Sequence, residues 1–410
     1  MAEARIPSLL TTLLDRLTGK EDLDLEFKAA KHTLPKSLWS TVSAFANTRG
    51  GWIVLGVDER TLAIEGVDQP HKVLQDFHNL ARNPQKVSVP MCGADDASIE
   101  MLNDKHLIVL RVPAASRKLR PIYVNANPYT GTYVRRNEGD YCCNKAEVDR
   151  MMRESSDVAA DSTILLDFAW DDLDHESLAR YRRRFQTRDP SSPRNSYDDR
   201  LFLRTIGGFR RDRETGREGI TVAGLLFFGT ARALREWRTR HLIDYRLVPE
   251  DPDSDTRWED RIAWEGNLLD AYETIYPRLV AGLPVPFTMK GDTRVDESPV
   301  HVVLREALVN LLAHADYADT QASLVVRSRA QGGFYFRNPG SSRVLQADLL
   351  RGDHSDPRNP ELVHMFRLLG LAEEAGTGIP RIFKAWRDLG FRPPTLEVGT
   401  ERDGQVLILL

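Results

Sequence analysis

The chain has 410 residues, with 56 Lys and Arg against 60 Asp and Glu, and its net charge of −4 excludes a uniformly basic nucleic-acid coat. No apolar run reaches the ~18 residues that a membrane-spanning helix needs, and the opening Met1-Ala-Glu-Ala-Arg5 lacks the apolar core of a secretion signal. Three cysteines, two of them adjacent at Cys142-Cys143, make neither a disulfide framework nor a zinc site, so a cytoplasmic protein of two or three domains is expected.

In chain order, residues 6–18 read as a short amphipathic helix. A strand follows, in which Leu23, Leu25 and Phe27 alternate with Asp24, Glu26 and Lys28, so one face is apolar and the other charged. A helix starts at Pro35, whose missing N–H costs nothing in a first turn. Leu38, Val42 and Phe45 give it a core stripe, and Gly50-Gly51 ends it where positive φ is needed. Trp52 to Val57 reads as a buried strand, with Asp58 at its exit. A helix over 68–80 turns Val73, Leu74 and Phe77 inward. Residues 99–102 and 106–112 form a hairpin about Asn103-Asp104. Strands at 122–124 and 132–137 follow, and a helix over 144–152, capped by Asn144, closes the first domain.

Glu26 and Asp58 thus fall on neighbouring elements, with Glu21 just upstream. Clustered carboxylates suit a hard divalent cation; they equally suit solvated turns, and spacing alone does not choose. Glu21 and Glu26 lie an odd number of residues apart, so Glu21 joins the cluster only from a loop that folds back. Residues 105–153 carry ten Lys and Arg against four Asp and Glu, a local basic patch of the kind phosphate contacts require. Within it, Arg117, Lys118, Arg120, Arg135 and Arg136 are candidates for tracking a phosphate backbone, with Tyr123, Tyr129 and Tyr133 available to stack on bases. A solvated basic loop is the competing reading.

Composition changes near residue 155. A helix carrying Arg180, Arg182, Arg183 and Arg184 leads into a scaffold region that includes the apolar Thr221-Val-Ala-Gly-Leu-Leu-Phe-Phe-Gly229. From Pro299, Leu304, Leu308 and Leu311 form one face of a helix, and Glu306, Asn310 and His314 repeat along another; such a polar stripe wants a ligand, a metal or a neighbouring loop as partner. Two strands, Asn338-Pro339-Gly340, two further helices around Gly376-Thr-Gly378, and terminal strands complete the chain.

The stretch Asp24-Leu-Glu26-Phe-Lys28 through Trp52-Ile-Val-Leu-Gly-Val-Asp58 resembles the Schlafen/AlbA-type domain, over roughly residues 10–150. The nuclease branch of that family, by resemblance, places a metal-dependent ribonuclease site on Glu21, Glu26 and Asp58, with Lys28 as the motif lysine and Mg²⁺ or Mn²⁺ as the cofactor. Residues 295–410 resemble a degenerate GHKL ATP-binding domain, which implies Glu306 and Asn310 as the general-base and metal-ligand positions and Gly376 and Gly378 at the phosphates. ATP is then a candidate ligand, without turnover expected; the aspartate that holds adenine in that family is replaced by Asn338.

The expected architecture is α/β (α+β): a Schlafen/AlbA-like mixed sheet over 1–154, a connector over 155–294 and a GHKL-like sandwich over 295–410. The expected function is a metal-dependent endoribonuclease for structured RNA such as tRNA. The alternative is a non-catalytic DNA-binding transcriptional regulator with a nucleotide-sensing carboxyl-terminal domain. RNA is the favoured partner over DNA, no membrane partner is expected, and a homodimer would supply a second lobe.

Overall fold

The computed structural model describes residues 24–410 apart from 137–138, 157, 239, 252–254, 285–287, 291–292, 296–297, 341, 345, 353–354, 373–376 and 399–403. The helix expected at 6–18 therefore lies outside the described residues, as do Glu21 and Gly376. The chain divides into two compact units, residues 1–157 and 158–410, and its class is α+β. Among the described residues no helix is long and apolar enough to cross a membrane.

The first unit is built on a four-stranded sheet in the order β1-β2-β4-β3, formed by Leu25–Lys28 (β1), Gly51–Leu55 (β2), Ala97–Leu102 (β3) and Lys105–Val112 (β4). β1 and β2 are parallel, with Glu26 opposite Ile53. Their crossover is helix α1, Leu38–Asn47. It begins later than Pro35, whose carbonyl instead accepts the N–H of Leu38 at 3.1 Å. Helix α2, Pro70–Ala81, packs beside it through Trp39 and Phe77, whose rings stack with centroids 5.7 Å apart. Together they bury one sheet face over Ile53, Leu55, Ile108 and Leu110. The turn after β2 covers the opposite face, where Leu25, Phe27, Val54 and Val109 pack with Leu62 and Ile64. Gly50 takes φ +77°, and a Cβ there would sit 2.8 Å from the Val112 carbonyl oxygen, so glycine alone fits the turn between α1 and β2.

The remainder of this unit is a hairpin, Tyr133–Arg136 (β5) with Gly139–Cys142 (β6), and helix α3, Lys145–Ser155. Asn144 and Glu147 cap α3 reciprocally, as the sequence suggests for Asn144. The hairpin lies on α1, because polar residues of that helix serve as its partners. Ser43 Oγ accepts the Tyr133 N–H at 3.0 Å, the Asn47 amide donates to the Tyr133 carbonyl at 3.0 Å, and Thr48 Oγ1 accepts the Arg135 N–H at 2.9 Å.

In the second unit, a three-stranded sheet joins Ile164–Leu165 (β7), Glu218–Thr221 (β9) and Phe209–Arg211 (β8). Helix α4, His175–Arg188, buries Tyr181 edge-on against Phe202, Phe227 and Phe228. The larger sheet has the order β11-β10-β14-β15-β17-β16. Its strands are Ile243–Val248 (β10), Asp260–Trp264 (β11), Ser323–Ser328 (β14), Gly333–Asn338 (β15), Thr395–Val398 (β16) and Gln405–Leu409 (β17). β10, from the region read as a connector, pairs in parallel with β14. Thr288–Lys290 (β12) and Thr293–Val295 (β13) form a separate hairpin. Helix α5, Leu268–Val280, and helix α6, Pro299–His314, pack into the core of this unit with α7, Pro360–Leu368, and α8, Gly378–Asp388.

The start of α7 is capped from a distance. Asp161, fully buried, accepts the N–H groups of Glu361 at 2.9 Å and Leu362 at 3.0 Å, and its other oxygen has no hydrogen-bond partner. Burial raises its pKa, the Leu362 N–H opposes the rise, the Glu361 charge adds to it, and the result is about 7. The folded state thus keeps a proton that the unfolded chain releases near pH ~4, and this contribution to stability is lost as pH rises towards ~7. Asp161→Asn keeps an acceptor for both N–H groups and removes the charge. Its melting temperature is expected to exceed the parent's by about 2–4 °C at about pH 8 and to converge with it near about pH 5, as thermal melts at the two values will show.

Candidate nucleic-acid interface

The register of β1 on β2 puts Glu26 and Lys28 on the sheet face that α1 covers, and both are buried, at 7% and 3% exposure. The alternation read from sequence holds, but the charged face is roofed by a helix and a hairpin. Arg135, 4% exposed, enters from β5. Its Nη2 lies 2.7 Å from Glu26 Oε2, its Nη1 donates to Asp140 at 3.0 Å, and its guanidinium rests 5.2 Å from the centre of the Phe45 ring. Asp140 also accepts from the Thr41 hydroxyl at 2.6 Å. The second oxygen of Glu26 accepts from Lys28 Nζ at 2.8 Å, and Lys28 reaches Glu59 at 3.1 Å. Burial alone would lower the Lys28 pKa; the hydrogen bond and charge of Glu26, with those of Glu59, outweigh it and raise the pKa.

Asp58 is placed quite differently. One of its oxygens accepts the Thr61 N–H at 2.7 Å, the Thr61 hydroxyl at 2.8 Å and the Arg60 N–H at 3.0 Å, closing the turn that follows β2. Those bonds, Thr61 first, hold its pKa below the usual carboxylate value. Of the three carboxylates expected to hold a metal, Glu21 lies outside the described residues and the other two are placed apart in role. Both oxygens of Glu26 face cations of the protein, Asp58 serves a turn, and no group of three potential ligands gathers among the described residues. A buried carboxylate already in contact with a lysine and an arginine is a poor ligand for a further cation.

Most of the cations expected to track a phosphate backbone have partners within the domain. Arg135 is enclosed. Arg136 pairs with Glu147 at 2.6 Å. Arg117 donates to the carbonyls of Glu154 and Ser156. Arg120 donates to the carbonyls of Ala115 at 3.0 Å and Thr48 at 2.9 Å. Tyr133 is half-buried against the core, Tyr129 donates to Asp149, and Lys118 is exposed. The arginines stitch loops to the domain. Sequence reasoning does not single out Asp140 and Thr41; the pairing of β5 with β6 sets Arg135 opposite Asp140. Arg135→Ala would leave the buried Glu26 and the half-buried Asp140 without their shared counter-charge, a loss of about 3–5 kcal/mol. Urea denaturation should register it, whereas Arg60→Ala, on an exposed turn, should leave the midpoint unchanged.

A cleft in the second unit holds the other predicted residues. It encloses about 830 Å³ of empty space, part of it open to solvent, and Asn310, His314, Asn338, Arg343, Asp356 and Gly378 are among its walls. Glu306 is buried beside it, and a Cβ on Gly378 would come within 2.5 Å of Glu306 Oε1 and 3.1 Å of the Asn310 amide. The spacing of Glu306 and Asn310 thus does aim both at the start of α8. Enclosure, then the charges of Arg358 and Arg343, lower the His314 pKa to about 4, so its ring is neutral near pH ~7. Asn338 is 6% exposed, and its amide nitrogen has no hydrogen-bond partner.

Comparison with known proteins accords with this α+β description. Residues 21–144 match the family model described as "Schlafen, AlbA_2", residues 149–244 a "Domain of unknown function", and residues 334–408 "Putative ATP-dependent DNA helicase recG C-terminal". The last match includes Asn338 and Gly378 but not Glu306 or Asn310. Among solved structures, the amino-terminal domain of a "Putative ATP-dependent DNA Helicase RecG-related Protein" from Nitrosomonas europaea is 30% identical, over 32% of this chain and 92% of that one, with a TM-score of 0.26. The DIP2311 protein from Corynebacterium diphtheriae is 19% identical, over 100% of this chain and 70% of that one, with a TM-score of 0.47. No curated protein matches the chain. Residues 21–144 thus form a Schlafen/AlbA_2-type amino-terminal domain.

Proposed function

We propose that the chain binds nucleic acid through its amino-terminal domain and does not cut it. The family match supports binding, and one observation carries the rest: Glu26, the central carboxylate of the expected nuclease motif, is buried between Lys28 and Arg135. A hydrolytic metal centre needs carboxylate oxygens free to hold the ion that activates water. Here one oxygen ties β1 to β5 through Arg135, and the other is held by Lys28 of the same strand. A single lobe is small for gripping a folded RNA, so the reading extends to a homodimer. Incubation of the full chain with tRNA, single-stranded DNA and duplex DNA, with and without Mn²⁺ or Mg²⁺, is expected to give retarded complexes and no cleavage products. Metal-dependent cleavage that disappears in Asp58→Asn would restore the nuclease reading.

A second reading concerns the cleft of the other unit, where the unpartnered, buried Asn338 amide favours a ligand that offers it an acceptor. ATP is the ligand that the resemblance implies. Gly378 and Asn310 would face its phosphates, while Asn338 replaces the carboxylate expected at the base. Calorimetric titration of the full chain with ATP and with ADP should give a binding heat that Asn338→Ala removes. Absence of heat with both nucleotides would eliminate ATP and ADP as ligands.

A further inference from the structure

The first unit has a cationic surface apart from the arginines anticipated in sequence. α2 exposes Lys72, Gln75, Asn79 and, just past its end, Arg82. Their spacing of three, four and three residues sets them along one stripe of the helix. The loop before α1 lies against the start of α2, since the Asp68 N–H donates to the Lys31 carbonyl at 2.9 Å and His32 meets Asp68 at 2.9 Å. Lys31 and Lys36 are exposed on that loop. Where α1 and α2 touch, Lys86 Nζ lies 5.5 Å over the Trp39 ring.

The side chains of Lys31, Lys36, Lys72 and Arg82 make no hydrogen bond or ion pair among the described residues, in contrast to those of Arg117, Arg120, Arg135 and Arg136. Charge favours an anion. Lys31, Lys36, Lys72, Arg82 and Lys86 stand on this surface with Asp68 and Asp76, and Asp68 is already engaged by His32. Twelve residues of helix extend the stripe over about 18 Å. That length covers several successive phosphates of one strand.

We infer that this face, the α2 stripe with the Lys31–Lys36 loop, is where the domain meets the phosphodiester backbone of a nucleic acid. The inference rests on the nucleic-acid-binding reading and gives it a location. Lys31, Lys36, Lys72 and Arg82 supply the phosphate contacts; Gln75 and Asn79 present amides between them to sugar or base edges. Recognition dominated by backbone contacts is salt-dependent and tolerant of sequence.

The test is fluorescence anisotropy of the full chain with a short labelled DNA duplex and its single strand, from about 50 to about 200 mM salt. Three proteins are compared: the parent, the triple variant Lys31→Ala/Lys36→Ala/Lys72→Ala, and Arg60→Ala, whose turn covers the opposite sheet face. The triple variant should bind at least about tenfold more weakly at low salt and flatten the slope of log K against log salt by about 2–3, while Arg60→Ala matches the parent. An unchanged melting curve for the triple variant assigns the loss to the surface; these side chains are exposed and unpaired, so the fold does not need them. If parent and triple variant bind alike with equal slopes, this face is not the interface and the binding reading survives. If the parent binds neither probe at any salt, and tRNA no better, the binding reading falls and the inference falls with it.

Discussion

The contact on which the first unit depends is that of Glu26 with Lys28 and Arg135. Each of the three is an expensive group to bury alone, and together they are tolerable because every charge meets an opposite one within 3 Å. The arrangement ties the first strand of the sheet to a hairpin more than a hundred residues later, across the polar side of α1. Phe45 beneath the guanidinium and Asp140 beside it complete the enclosure. A carboxylate held in this way has each of its oxygens against a cation of the fold.

That assignment alters how the domain's cations are read. Arginine is well suited to bridging buried carbonyls and carboxylates, because its planar fork offers several donors in fixed directions. Arg117, Arg120, Arg135 and Arg136 all use it so. Lysine, a flexible point charge, stays at the surface at positions 31, 36 and 72. A count of positive residues along the sequence does not separate the two uses. The density is highest where arginines bridge parts of the domain, and exposed lysines lie on α2 and the loop packed against it as well as at Lys118.

The second unit shows the opposite relation between pattern and site. Glu306 and Asn310, four residues apart on α6, do converge on Gly378, where a Cβ would come within 2.5 Å of Glu306 Oε1 and make that carboxylate shift. His314, one turn on, lines the same cleft and is kept neutral by its surroundings. Helical spacing is a local property, so a motif confined to one helix survives the passage from sequence to structure. The geometry of a motif assembled from a strand, a turn and a stretch upstream of both depends instead on what covers each part.

The sequence by itself determined the elements and their punctuation: the alternation of β1, the apolar stripe of α1, the glycine turn at Gly50, the Asn144 cap, and the family to which the first domain belongs. Each is set by neighbours a few residues away, through pleat, helical period or backbone sterics. The tertiary structure decided which charges are buried. It roofed the polar face of β1 with α1 and β5, set Arg135 against Glu26, and gave Asp58 to its own turn. Only long-range packing brings residues 26, 41, 135 and 140 within hydrogen-bonding distance, and in a low-dielectric interior that proximity determines whether a carboxylate can take a metal or an arginine a phosphate.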